Sequence, residues 1–90
     1  MNSSKQEIER LKFKLGTNLE DLSIEDRYAA IAILAIAVNR QMFPFQVAAN
    51  DQSVLDRFGN RDVYGVIQYA HVAAIPGIIK FLAESIPGSF

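Results

Sequence analysis

His71 is the chain's single imidazole and the first place to look for proton transfer. A general base works only when an acid or a nucleophile is held beside it. The nearest candidates in sequence are Tyr64 and Tyr69, and neither forms a recognised pair with histidine. His71 therefore reads as a structural or surface residue. Carboxylates occur as two adjacent pairs, Glu20-Asp21 and Glu25-Asp26. Such pairs suit glycoside hydrolysis or a hard cation. Both coincide with predicted helix starts, where negative charge is favoured in any case, and capping accounts for them. Asn50, Asp51 and Asp56 lack the alternation and closing Glu of a calcium loop.

Gly16, Gly59, Gly65, Gly77 and Gly88 are dispersed, and none precedes the Lys-Ser or Lys-Thr of a phosphate loop. Gly59-Asn60-Arg61 does lead into a predicted helix, whose first N–H groups could take an anion. A plain turn is the simpler reading. With no Cys, disulfides, thiolate metal sites and cysteine nucleophiles are excluded. The expectation is a protein that is not an enzyme, with no catalytic residue, metal or cofactor.

Composition bounds the partners. Ninety residues make one domain and leave no room for a second. Nine Lys+Arg against ten Asp+Glu give a net charge of -1, so no global basic field gathers nucleic acid. Lys5, Arg10, Lys12 and Lys14 do concentrate near the N-terminus, with Phe13 close by, but Glu7 and Glu9 dilute them. A solvated amphipathic face is expected there. Met1 to Lys14 contains no continuous apolar stretch of the kind a secretory signal needs. The longest apolar run, Tyr28 to Val38, is eleven residues against the roughly 20 that span a bilayer. A buried core helix, no membrane span and a cytoplasmic location are expected.

The elements follow from caps and periodicity. Ser4 and Glu7 form a capping pattern, Ile8, Leu11 and Leu15 share one face, and Gly16 is placed for a left-handed stop. This predicts a helix from about Ser4 to Leu15. Thr17-Asn18-Leu19-Glu20 repeats the pattern but leads only into a short turn. Ser23 caps the main helix, rich in Ala, which Pro44 should stop near Phe43. At 100° per residue Ile31, Leu34 and Val38 share one face, while Ile33 and Ile36 fall opposite. Asn50 or Asp51 caps a short helix through Phe58, and Asn60 caps the next, with Val63, Ile67, Ala70 and Ala74 on one side. Pro76-Gly77 should interrupt it before Ile78, Ile79, Leu82 and Ile86 resume the pattern. The expected fold is all-α, a single compact bundle of four to five helices around a buried central hydrophobic helix.

Two stretches carry a family resemblance. Leu11-Lys12-Phe13-Lys14-Leu15-Gly16-Thr17-Asn18-Leu19-Glu20 looks like the L-R-F-R-L-G-x-N-L segment of bacterial effector-associated domains. The run from Gly59 to Ala70, with Pro87-Gly88, resembles that family's final helices. The resemblance implies a small, death-fold-like helical adaptor that associates homotypically and recruits enzymes or receptors. It implies surface patches and no catalytic position.

Half of the residues are apolar and mean hydropathy is +0.11, a surplus for a domain of this size. A small domain buries only about 60% of its chain surface. A second copy could cover part of the surplus, since twofold dimers are the commonest solution. The functional expectation is a protein-interaction module that binds itself or another helical protein through Ile33, Ile36, Met42, Phe43 and Phe45. The alternative is a small-ligand or regulatory domain with an apolar pocket at the Pro44 and Pro76 breaks, lined by Phe45, Tyr69 and Phe81.

Overall fold

Ser23 starts the longest element of the computed structural model, which describes residues 3–17 and 19–88, with side chains from Lys5 onward. Its backbone is extended and its Oγ accepts from the Asp26 N–H at 3.1 Å. Five α-helices follow one another, α1 (Ser3–Leu15), α2 (Ile24–Arg40), α3 (Pro44–Asn50), α4 (Asp62–Ile67) and α5 (Ile75–Glu84). A 3₁₀ helix, Gln52–Arg57, lies between α3 and α4. The described residues contain no strand, so the chain is all-helical. No single helix among them is long and apolar enough to cross a membrane.

Local chemistry sets most of the boundaries. Gly16 closes α1 at φ +95°, a left-handed conformation that a Cβ would strain. The capping role expected of Ser4 lies outside the described side chains, and Asn18 of the second capping pattern lies outside the described residues. Glu7 instead meets Arg10 at 3.1 Å, one turn along the same helix. Asp51 caps the 3₁₀ helix by accepting from the Ser53 N–H at 3.1 Å. Asn60 accepts from the Asp62 N–H at 2.9 Å and so opens α4.

Pro44 and Pro76 act differently from expectation. The main helix ends at Arg40 and not near Phe43, because Gln41 turns left-handed at φ 57° and reverses the chain. The N–H groups of Gln41 and Met42 return to the carbonyls of Val38 and Ala37, satisfying the helix end. Pro44 then begins α3, where its missing N–H costs nothing. The Gln46 side chain accepts from the Phe43 N–H at 2.9 Å and fixes that start. Helices α2 and α3 are bent by 94° at this break. Likewise Pro76 sits in the first turn of α5 and does not interrupt a longer helix. The preceding helix stops at Ile67, and a run of turns carries Gln68 to Ala74.

Helix α2 is the hub, packed against α5, α3, the 3₁₀ helix and α4, while α1 packs on α5 and α4. Ala30, Ile33, Leu34 and Ala37 recur at three- and four-residue spacing and are fully buried. They meet a core in which Leu11, Leu19, Val47, Val63, Ile67, Ile75, Ile78 and Leu82 are also closed to solvent. Ile31, Ile36 and Val38 flank that stripe, half-buried against it. Ile33, expected at a partner surface, is therefore a core residue at 0% exposure. A helical wheel gives the angle between Ile33 and Leu34 but not which neighbours fill the space around them.

Two adjacent charges on α2 are buried with the core. The Asp26 carboxylate, 3% exposed, accepts from the Gly59 N–H at 2.7 Å and the Asn60 N–H at 3.0 Å. The Arg27 guanidinium, 8% exposed, donates to the Leu19 carbonyl at 2.9 Å and to the Ser85 carbonyl at the end of α5. Gly59-Asn60-Arg61, read as a plain turn that could take an anion, does receive one: the protein's own Asp26 carboxylate, on the Gly59 and Asn60 N–H groups. Leu19 is held left-handed at φ 58°, a conformation costing a leucine on the order of 1 kcal/mol.

Replacing Asp26 by Ala leaves two backbone donors without their charged acceptor, and a loss of about 3 kcal/mol is expected. Urea unfolding checks this against Glu25→Ala, exposed on the same turn, which should stay within about 0.5 kcal/mol of wild type. Equal midpoints for the two variants would remove the clamp from the stability of the fold. A smaller, pH-dependent effect belongs to Asp51. The Ser53 hydroxyl, followed by the Ser53 N–H, holds its carboxyl below the ordinary aspartate range. The sign is that of a depressed acid: stability is present above about pH 4 and is lost as pH falls through the lower folded value. Ser53→Ala should raise the Asp51 midpoint in an NMR titration, and an unmoved midpoint would assign the shift elsewhere.

Candidate functional site

Among the described residues His71, Tyr64 and Tyr69 each take up a contact with a phenylalanine ring. His71 is exposed, and its ring meets the Phe43 ring edge-on at 5.2 Å. Tyr64 packs instead beside Phe58 at 6.1 Å, and Tyr69 beside Phe45 at 5.4 Å. Burial pushes the Tyr64 phenol up, and Tyr69 adds to the effect. Among the described residues no group of three or more His, Asp or Glu could hold a metal ion. Of the two carboxylate pairs, Asp26 is locked in the core while Glu20, Asp21 and Glu25 are exposed.

What the fold does assemble is a row of rings. The Phe45 N–H donates to the Gln68 carbonyl at 3.1 Å, which ties the start of α3 to the turn after α4. Side chains on the two segments then meet. Phe43 and Phe45 stack with centroids 5.4 Å apart, Tyr69 continues from Phe45, and His71 continues from Phe43. The order is His71, Phe43, Phe45, Tyr69. Spacings of this size are those of favourable aromatic pairs. Phe43 is half-buried, while Phe45 and Tyr69 are 37% and 64% exposed.

Each end of the row opens onto a depression. At the His71 end, Gln41, Met42, Phe43, Gln46, His71, Val72 and Ala73 surround a hollow of about 510 Å³ at the α2–α3 bend. This is where an apolar pocket was expected from Pro44, but its lining differs. Phe81 takes no part: its ring lies 5.7 Å from the Lys12 ammonium, on the side of α5 that faces α1. At the other end, Tyr69 forms one wall of a groove of about 880 Å³ between α1 and α4. Gly65 and Val66 line it from α4, and Arg10, Lys12, Phe13, Lys14 and Thr17 from α1 and its end.

Among the described residues Phe13 is the most exposed large apolar side chain, at 95%. Of the five expected contact residues, the structure brings Met42, Phe43 and Phe45 to this surface, half-buries Ile36 beside the core and encloses Ile33. Tyr69 and Phe13 also lie on this surface, and neither was among the five expected contacts. The signal for Phe13 was present: it stands two residues from both Leu11 and Leu15, off the apolar stripe, between two lysines. Tyr69 carried no such signal, because its place depends on a hydrogen bond between residues 45 and 68.

Comparisons with protein-family models, with curated proteins and with solved structures find no match for this chain.

Proposed function

We propose that this chain is a non-enzymatic interaction module, an adaptor that associates with a second copy of itself or with another helical protein. The supporting observation is the row of rings from His71 to Tyr69, continued across the groove to Phe13, in which only Phe43 is half-buried and the rest are exposed. Burying a Phe-sized side chain is worth roughly 1.5–3 kcal/mol, and rigid aromatic anchors dominate the energetics of protein interfaces. The resemblance to effector-associated domains, which implies homotypic association, points the same way. A second reading, a small apolar ligand in the hollow beside Met42 and Phe43, is favoured by that hollow's position at the bend. Thermal shifts against an apolar ligand panel test it, and uniform silence counts against it.

Light scattering over a wide concentration range tests the main reading. The mass should rise from 10.0 kDa toward or beyond twice that value. Phe45→Glu and Tyr69→Glu should weaken association roughly tenfold or more while the helical spectrum and melting temperature hold. Ile33→Glu, by contrast, should unfold the chain, because it forces a charge into the core. If the two ring variants associate like wild type, the row is not the interface.

A further inference from the structure

Two separate surface patches on this nearly neutral chain combine exposed apolar side chains with an excess of one charge, basic in the first and acidic in the second. The first is the groove between α1 and α4. Arg10, Lys12 and Lys14 stand around Phe13 and Tyr69, against a single acid, Glu9. Arg10 is engaged by Glu7 at 3.1 Å and Lys12 by Glu9 at 3.8 Å. Lys14, exposed beside Phe13, meets no carboxylate among the described residues.

The second patch is the outer face of the α2 start. Ile24 and Tyr28, one turn apart and therefore on one stripe, are 43% and 55% exposed. Asp21 and Glu25 are exposed beside them. Glu25, Tyr28 and Ala29 also shape a shallow hollow of about 270 Å³, closed on one side by Arg57. Phe13, Ile24, Tyr28, Phe45 and Tyr69 are all of the exposed large apolar side chains of the described residues. Three belong to the ring row and groove, and two to this acidic face.

The geometry points to head-to-tail self-association, in which the basic groove of one copy receives the acidic, apolar start of α2 from the next. This rests on the self-association reading above and names the surfaces that meet. The occupant is argued from complementarity. A basic groove holding two aromatic rings calls for a partner that offers acids around a small apolar centre. The chain itself displays such a surface, and the two patches share no residue. Because they differ, the contact is heterologous: each added copy leaves one free groove and one free acidic face. The product is an open file or a ring of copies and not a closed twofold pair.

The test uses the full chain and two variants, each with one patch neutralised at exposed positions. Phe13→Ser with Lys14→Ser removes the centre of the groove, and Glu25→Ser with Tyr28→Ser removes the centre of the acidic face. Each variant alone should remain monomeric by light scattering at concentrations where wild type grows past twice 10.0 kDa. Mixed in equal amounts, they should form a 1:1 dimer that grows no further, since each retains the patch that the other has lost. Raising salt from 0.1 M to 1 M shortens screening from about 10 Å to about 3 Å and should weaken the wild-type assembly. If either variant still associates like wild type, or the mixture stays monomeric, the head-to-tail contact is wrong while self-association stands. A wild type that is monomeric throughout overturns both. If Phe45→Glu breaks association and the groove variant does not, the interface is the ring row alone.

Discussion

Asp26 and Arg27, neighbours in sequence at the first turn of α2, tie that turn to three distant segments of the chain. Removing an ion from water costs several kcal/mol even in a relaxed protein interior. Here that cost is offset by backbone dipoles: two N–H groups aim at Asp26, and two carbonyls receive Arg27. The partners come from three places, the loop after α1, the loop before α4 and the end of α5. A cation at the carbonyl end of α5 is also where the helix dipole favours one. One helical turn thereby ties the segments after α1 and α5 and the segment before α4 to the start of α2.

The same site explains an anomaly in the loop after α1. Leu19 is a buried leucine with left-handed backbone, where a glycine would be at ease. Its side chain fills the core, and its carbonyl, turned by that conformation, receives Arg27 at 2.9 Å. The local strain is compensated by a long-range contact. Neither part makes sense alone.

How much of this was legible in sequence follows from the range of each interaction. The cap at Ser23, the left-handed Gly16, the turn at Asp51 and the buried faces of α1 and α5 depend on residues within a turn or two, and their signals are local. Pro44 and Pro76 were read as stops because proline breaks a helix interior, yet the same ring suits the first turn of the next helix. At Pro44 the left-handed Gln41, a residue with no strong preference for that conformation, ends α2 first, and before Pro76 the helix has already stopped at Ile67. Asp26 was assigned to capping on good local grounds, but its carboxylate partners lie 33 and 34 residues away. Met42, Phe43 and Phe45 could be picked out as a cluster at a break. Their continuation through Tyr69 and His71 needs two distant segments to be tied together, and nothing in the spacing announces that.

That tie has a thermodynamic consequence. The Phe45 N–H to Gln68 bond joins two segments that are each too short to be stable alone, and the rings rest on both. A surface built in this way is already ordered before a partner arrives. Aromatic side chains carry few rotatable bonds, and neighbours within 5.5 Å restrict the remaining rotation. Binding to such a preorganised face forfeits little internal entropy, so more of the free energy released by covering it is retained as affinity.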